Sequence, residues 1–310
     1  MINKSEFYFK TNDNVKIHAI KWEYPNVESK GIVQIIHGYA EWIDRYDEFT
    51  TYLASKGYIV YGEDHRGHGL TRTNKERIIH FADNDGFEKV VDDNYTLTNI
   101  IKKEYPDTKL FIFGHSMGSF IGRRYIQKYG DLIDGIIISG TGNNIKISVD
   151  AGLHIAQKHL KEHGPNNPDK LLDRLMFGRL NKSIHKPRTD LDWICTDDKV
   201  VDEFEASELR GLIATTSFFH DFLKGISMVE NKEYINAIPK NLPVLFISGE
   251  NDPVGGIKCS GVKRAYNDMI KCGINNVSIK IYEGLRHELV NETKKDVVMN
   301  DIFNWIEEIQ

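Results

Sequence analysis

Residues 110–119 have the sequence Leu-Phe-Ile-Phe-Gly-His-Ser-Met-Gly-Ser. The apolar run at 110–113 predicts a short buried β-strand, and a helical pattern begins directly after Ser116. Gly114 and Gly118 lie two residues on either side of Ser116 and permit a turn that is too tight for side chains with a Cβ atom. This pattern predicts a nucleophile elbow, a strand–turn–helix unit that projects a serine hydroxyl above a sheet. Three fixed residues alone are a weak signal, so the prediction needs a base, an acid and an oxyanion site on neighbouring strand ends.

Other apolar runs predict the remaining strands of a mostly parallel sheet. The amino terminus, with apolar residues on both sides of the turn-forming run 11–14, predicts a two-stranded antiparallel hairpin. Helical patterns separate most of the later runs, and the alternation of strand and helix is typical of parallel sheets flanked by helices. The predicted strands after the hairpin are 32–36, 58–61, 110–113, 136–138, 243–249 and 277–282.

The strand pattern stops between residues 141 and 234. This region has short helical patterns and an aromatic stretch with Phe218, Phe219 and Phe222, but no apolar run of the kind that predicts a strand. We therefore predict a helical cap at 141–234, inserted into an α/β core formed by residues 1–140 and 235–310.

The composition limits the class of protein. The chain has 310 residues, of which 40% are hydrophobic and 27% are charged, as is typical of soluble globular proteins. The net charge of −5 and the scattered Lys and Arg residues argue against a nucleic-acid partner. The amino terminus has no apolar segment typical of a secretory signal, which predicts a cytoplasmic protein. Cys195, Cys259 and Cys272 are too few and too irregularly spaced for a disulfide framework or a zinc site.

Candidate catalytic residues follow three of the predicted strands. Catalytic groups in an open parallel sheet gather beyond the carboxyl ends of its strands. Asp252 follows the strand that ends at Ser248, and His287 follows the strand that ends at Tyr282. The chain order serine, acid, histidine is typical of α/β-hydrolases.

Each of these assignments has an alternative in the same chain. Glu250 is the alternative acid, but we favour Asp252 because it lies farther along the loop. His115 is adjacent to Ser116 and is expected to point away from it, because consecutive side chains diverge at a tight turn. The other histidines that compete with His287 are His37, His65 and His68, and the last two flank glycines in an irregular turn that does not suit a metal site.

The chemistry explains why these residue types are needed. A serine hydroxyl becomes a strong nucleophile when an imidazole removes its proton, and a carboxylate behind the ring stabilises the imidazolium. This carboxylate is also expected to raise the pKa of His287 above about 6.5. The oxyanion hole requires two backbone N–H donors, and we assign them to Met117, which follows the nucleophile, and to Tyr39, in the loop after the strand that ends at Ile36.

Four motifs in this order resemble those of the monoacylglycerol lipase and lysophospholipase branch of the α/β-hydrolases, which has serine aminopeptidase-like hydrolases as neighbours. Residues 191–198 in the insertion also resemble a cap segment of bacterial members. The resemblance implies hydrolysis of carboxylic esters by Ser116, Asp252 and His287, without a cofactor or metal, under a helical cap that covers an acyl pocket. The four motifs are His37-Gly38-Tyr39-Ala40-Glu41-Trp42 with Arg45-Tyr46, Asp64-His65-Arg66-Gly67-His68-Gly69, Gly114-His115-Ser116-Met117-Gly118 and Glu283-Gly284-Leu285-Arg286-His287-Glu288.

The chain departs from the family pattern in the oxyanion loop. Ala40 and Trp42 stand where the family usually has glycine and histidine, so the loop is expected to sit differently. Trp42 either lines the entrance for the acyl chain or packs under the cap. Similarly, Phe218, Phe219 and Phe222 either line the acyl pocket or anchor the cap to the core.

We predict a serine ester hydrolase that acts on monoacylglycerol-like or lysophospholipid-like substrates. A lipid substrate implies transient contact of the cap with a membrane surface. One alternative is an aminopeptidase that holds the amino group of its substrate with Glu203, Glu205 and Glu208, although these residues also suit a solvated helix face. Another alternative is a non-catalytic ligand-binding protein on the same scaffold.

Overall fold

The computed structural model describes residues 2–25, 27–143 and 146–310, so Asn144 and Ile145 of the predicted insertion lie outside the described residues. The strands are β1 (Asn3–Lys10), β2 (Lys16–Glu23), β3 (Gly31–Ile36), β4 (Tyr58–Glu63), β5 (Ile78–Ile79), β6 (Leu110–His115), β7 (Gly135–Ser139), β8 (Ile213–Ala214), β9 (Val244–Gly249) and β10 (Val277–Tyr282). The α-helices are α1 (Asp47–Ser55), α2 (Gly86–Glu104), α3 (Met117–Tyr129), α4 (Lys146–His163), α5 (Lys170–Phe177), α6 (Asp198–Ala206), α7 (Thr216–Val229), α8 (Lys232–Asn236), α9 (Ser260–Lys271) and α10 (Lys295–Ile309).

Eight strands form the central sheet, in the order β1-β2-β4-β3-β6-β7-β9-β10. The strand β2 pairs antiparallel with β1 and β4, and the remaining neighbours pair in parallel. Every residue of β3, β4, β6, β7 and β9 is buried, as expected for strands that are covered on both faces. The predicted mostly parallel sheet flanked by helices is therefore confirmed.

Helices cover the two faces of this sheet. Apolar residues of α1 and α10 pack on one face, and those of α2, α3 and α9 pack on the other. The strands β6, β9 and β10 run parallel in the order β6-β7-β9-β10, so their carboxyl ends share one edge of the sheet. This arrangement brings together the three loops on which the candidate catalytic residues lie.

The region between residues 141 and 234 contributes helices α4 to α7 and the beginning of α8, which crosses the end of this region, so its structure is of the type that the sequence predicts. Helix α7 packs against α2 and α3 of the core and against α4 of the insertion. The expectation that no strand occurs here is wrong at one point, because β8 pairs in parallel with β5. A two-residue strand is too short to produce a periodic pattern in the sequence. Among the described residues, we find no helix long and apolar enough to cross a membrane.

Candidate active site

Ser116 lies at the turn between β6 and α3, in a backbone conformation that residues other than glycine rarely adopt. Its φ and ψ angles are 53° and −119°, and its backbone N–H donates to the carbonyl of Ser139 at 2.9 Å. A Cβ atom on Gly118 would collide with the backbone oxygens of Ile36 and His37, so the turn packs directly on the end of β3. Such conformations cost about 1–3 kcal/mol and persist where the surrounding structure enforces them. The local structure has the form expected of a nucleophile elbow.

Asp252 and His287 form a buried pair in the loops after β9 and β10. The carboxylate Oδ2 of Asp252 lies 2.9 Å from the imidazole Nδ1 of His287, and the two residues are only 1% and 2% exposed. The ring of His287 packs at 4.9 Å from the ring of Trp193. Among the described residues, the buried Nε2 of His287 has no hydrogen-bond partner. This nitrogen is therefore available to accept a proton.

The alternative acid lies outside the buried pair, whereas the ring of His115 packs beside the ring of His287, with ring centroids 4.7 Å apart. Glu250 is exposed, and its carboxylate accepts a hydrogen bond from the backbone N–H of Gly284 at 3.3 Å. The Nε2 of His115 lies 3.6 Å from Oε1 of Glu41. Asp252, rather than Glu250, is thus the acid that contacts His287. The other candidate histidines pack together: His37 and His65 stack with ring centroids 3.9 Å apart, and the ring of His68 lies 5.2 Å from that of His37.

The pKa values separate the two neighbouring histidines. Burial lowers the pKa of His287, but the carboxylates of Asp252, Glu288 and Glu41 together outweigh burial, and the pKa lies above its ordinary value. Burial and the positive charges of His287 and Arg45 hold the pKa of His115 well below its ordinary range. His287 is therefore the histidine whose protonated form is stabilised, as a general base requires.

The loop after β3 approaches the elbow, as the oxyanion prediction requires. Tyr39 and Met117 line the same cavity as Ser116 and His287. The backbone N–H of Gly38 donates to Oε1 of Glu41 at 3.1 Å, which fixes the loop just before Tyr39.

Ala40 shows how the chain accommodates its departure from the family pattern in this loop. Its φ of 62° lies in the left-handed region that favours glycine. The loop therefore retains the backbone shape that suits glycine even though Ala40 adds a Cβ atom.

Glu41, His115 and Glu288 form a buried cluster whose ligand atoms lie within 4.8 Å of one another. The guanidinium of Arg45 already occupies this cluster, with Nη1 at 2.6 Å from a carboxylate oxygen of Glu288 and 3.6 Å from one of Glu41. Burial and the charge of Glu288 nevertheless raise the pKa of Glu41 to about 7. A cation beside Arg45 would be strongly repelled, so the cluster does not suit a metal ion.

The cavity above Ser116 has a volume of about 590 Å³, within the range of small-molecule sites. Its apolar wall includes residues of α3 and α7, and its polar wall comes mainly from the insertion. The apolar members include Phe120, Phe177, Phe222, Ile226 and Val254, and the polar members include Asp173, Arg174, Asn181, Asp190 and Arg210.

The four aromatic residues proposed for substrate binding lie in different environments. Phe222 lines the cavity, whereas Phe218 and Phe219 are completely buried. Trp42 stacks on Phe204 of α6 with ring centroids 6.1 Å apart, so it packs against the insertion. Phe222 is thus the member of this set that is placed to contact an acyl chain.

The contacts by which the insertion holds the loop of His287 are not visible in the sequence. The backbone N–H groups of His287 and Glu288 donate to the carbonyl of Ile194 at 3.1 and 2.8 Å. The side chain of Arg286 donates to the carbonyls of Asp192 and Cys195 at 2.6 and 2.8 Å. Residues 191–198 stand out in the sequence through their resemblance to a cap segment, but contacts to backbone carbonyls leave no pattern there.

Comparison with known proteins places this chain in a family of serine hydrolases. The chain belongs to the family described as serine aminopeptidase, S33 (Hydrolase_4), whose model matches residues 27–294. It is 28% identical to the monoacylglycerol lipase of Mycolicibacterium smegmatis over 98% of this chain and 97% of that protein. It is 27% identical to the monoglyceride lipase of Saccharomyces cerevisiae, over 97% and 93% of the two chains. Among solved structures, a thermostable carboxyl esterase from Bacillus coagulans superposes with a TM-score of 0.88, at 26% identity, over 99% of this chain and 98% of that one. The predicted fold and branch are confirmed.

Proposed function

We propose that this protein is a serine hydrolase that cleaves carboxylic esters through an acyl-enzyme on Ser116. The observation that carries the proposal is the buried Asp252–His287 pair, which opens on the same cavity as the strained Ser116. The family membership and the monoacylglycerol lipases among the relatives support ester hydrolysis.

The proposed reaction follows from the atoms around this cavity. His287 Nε2 accepts the proton of the Ser116 hydroxyl as the oxygen attacks the ester carbonyl, and Asp252 stabilises the imidazolium. The backbone N–H groups of Tyr39 and Met117 donate to the negative oxygen of the tetrahedral intermediate. His287 then protonates the leaving alkoxide, and in the second half it activates the water that releases the acid. No cofactor takes part in this scheme.

The two walls of the cavity support a substrate with one apolar and one polar part. Phe222 and Ile226 suit an acyl chain, and Asn181 suits a glycerol-like alcohol. We therefore propose monoacylglycerol-like or lysophospholipid-like esters as substrates.

Transient contact with a membrane surface is part of the same proposal. Helix α5 contributes Phe177 to the cavity, and it exposes Leu171 and Leu175 by 48% and 54% on its surface. Exposed apolar residues next to the cavity would let the insertion meet a lipid surface where its substrate resides. The cytoplasmic location stays a prediction.

An aminopeptidase is the second candidate because of the description of the family. Glu203, Glu205 and Glu208 are exposed, and none of these three residues lines the cavity above Ser116. Comparing p-nitrophenyl butyrate with an aminoacyl anilide separates the two candidates. Faster turnover of the anilide would reject the ester hydrolase.

Covalent labelling with a fluorophosphonate probe tests the nucleophile directly. We expect the wild type and the control Ser260→Ala to be labelled, because Ser260 lies at the start of α9. We expect Ser116→Ala to lose labelling and at least about 10⁴-fold in kcat, while its circular dichroism spectrum is unchanged. Folded wild type that is neither labelled nor active would favour the ligand-binding alternative.

A further inference from the structure

The loop between α6 and β8 carries Arg210 and is fixed by two other guanidinium groups. Arg72 donates to the backbone carbonyls of Leu209 and Glu208 at 3.2 and 3.0 Å. Arg77 donates to the carbonyl of Ser207 at 3.1 Å. Three carbonyls in a row are therefore held by arginine side chains from the core, and the backbone before Arg210 is rigidly placed.

The same loop is bonded to the predicted oxyanion loop. The backbone N–H of Gly211 donates to the carbonyl of Ala40 at 3.1 Å, and that of Leu212 donates to the carbonyl of Arg77 at 2.9 Å. Arg210, Gly211 and Leu212 all line the cavity above Ser116. These backbone bonds therefore fix the position of Arg210 in the cavity wall.

Unlike Arg72 and Arg77, Arg210 makes no hydrogen bond or ion pair through its side chain to the described residues. Its Nε is buried and has no partner. The face of the guanidinium lies over the ring of Phe204, with 5.3 Å to the ring centroid, which leaves its N–H edge unengaged. Burial lowers the pKa of Arg210, so its charged form lacks part of the stabilisation that water would supply.

The charged groups that act on Arg210 do not form an ion pair with it among the described residues. Asp173 and Glu205 attract it and Arg77 repels it, but no carboxylate oxygen lies within ion-pair distance among the described residues. One oxygen of Asp173 already accepts a hydrogen bond from the hydroxyl of Tyr39 at 3.3 Å. A partly buried guanidinium with unused donors stabilises an oxyanion through paired, charge-assisted hydrogen bonds.

We propose that Arg210 binds a phosphate group on the alcohol part of the ester substrate. This inference rests on the proposed function, because it assigns the two kinds of ester to different interactions in one cavity. A lysophospholipid with an exposed phosphate gains the interaction with Arg210, and a neutral monoacylglycerol does not. The site therefore favours the phosphate-bearing ester over the neutral ester of the same acyl chain.

Paired substrates and paired variants test this assignment. We compare lauroyl lysophosphatidic acid with monolauroylglycerol in the wild type, Arg210→Gln, Arg210→Lys and the control Arg179→Gln, whose side chain is exposed in the insertion. Hydrogen bonds to charged groups are stronger than those between neutral groups, so we expect Arg210→Gln to lose roughly 10- to 100-fold in kcat/KM for the phosphate ester, mainly through KM. The neutral ester should change by less than about 2-fold, Arg210→Lys should recover part of the loss, and Arg179→Gln should match the wild type.

A binding measurement keeps the test independent of turnover. In the Ser116→Ala background, titration calorimetry should show that lysophosphatidic acid binds more weakly when Arg210 is also changed to Gln. If neither ester is hydrolysed by the wild type but this difference persists, the proposed function fails and the anion site stands.

Three results would overturn the inference. Equal losses for both esters would show that Arg210 only supports the packing of Phe204. Unchanged kinetics and binding would show that no anion is bound there. Inhibition by laurate that depends on Arg210, without inhibition by glycerol 3-phosphate, would assign the guanidinium to the carboxylate of the acyl product instead of a phosphate.

Discussion

The strand ends of the core and the insertion contribute different kinds of residues to one cavity. The strand ends carry the proposed catalytic residues, and the insertion supplies most of the polar wall. Ser116, Asp252 and His287 lie on short loops whose positions are fixed by neighbouring parallel strands. The insertion contributes short helices, mixed charges and exposed leucines. The comparison indicates that the type of reaction depends on local backbone geometry, whereas the choice of substrate depends on packing between distant segments.

The two regions are nevertheless joined where the chemistry takes place. The carbonyl of Ile194 accepts hydrogen bonds from the loop of His287, and Trp193 packs on the imidazole. The insertion therefore supports the predicted base as well as covering the substrate. A substitution in residues 192–195 should change the position of His287 although all three proposed catalytic side chains are retained.

Among the variants that separate the two regions, the one with the largest expected effect tests whether the core alone determines the reaction. Asp252→Asn removes the charge that stabilises protonated His287, and we expect kcat to fall by about 10³- to 10⁴-fold. The matched control is Glu250→Gln, two residues earlier and exposed, which should remain within about 3-fold of the wild type. Steady-state kinetics on p-nitrophenyl butyrate measure both. A larger loss in Glu250→Gln than in Asp252→Asn would identify Glu250 as the acid and contradict the proposed assignment.

The strand ends of the core can be predicted from the sequence because the relevant signals are local. The elbow at Ser116 and the burial of the strands can each be identified within short windows, and the chain order of the three residues follows from the order of the predicted strands. Buried strands require runs of apolar residues, and a tight turn requires glycine, so these constraints leave a visible pattern.

The insertion was predicted less completely, for physical reasons. The helical pattern around Phe218, Phe219 and Phe222 was visible, but which of them lines the cavity depends on how α7 rotates against α2 and α3. The strand β8 has only two residues, which is too few to show the alternation of polar and apolar residues that identifies a strand. The anchoring of Arg210 depends on bonds to backbone carbonyls, which any residue provides.

The pH dependence of activity should also be controlled by the core. Because neutral His287 is the base, kcat/KM should rise with pH and level off above the pKa of His287. This pKa lies above 6.5 because Asp252, together with Glu288 and Glu41, outweighs burial. Below it, activity should fall about tenfold for each pH unit. Initial rates between pH 5 and 9 measure this rising limb of the pH profile. A maximum of activity below pH 5 would contradict the role of His287.

Two variants separate the groups that control this limb. Glu41 has a pKa of about 7 and raises the pKa of His287, so Glu41→Gln should move the limb to lower pH. Glu203→Gln, on the exposed surface of the insertion, should leave the limb unchanged. A limb that moves with Glu203 but not with Glu41 would mean that the insertion controls the protonation of the base.

The smallest expected effect tests the insertion alone. Phe222 lines the cavity and Phe219 is completely buried beside it in the same helix, so the two residues are a matched pair. Changing either to Leu should lower the free energy of unfolding by roughly 1–2 kcal/mol. Phe222→Leu should in addition alter the ratio of kcat/KM for palmitoyl and octanoyl esters by about 3- to 10-fold, because apolar contact with the longer chain is lost. Phe219→Leu should leave that ratio unchanged, since its ring contacts Phe218 and Phe177 rather than the acyl chain. Equal ratios in both variants would show that α7 stabilises the insertion without selecting the substrate.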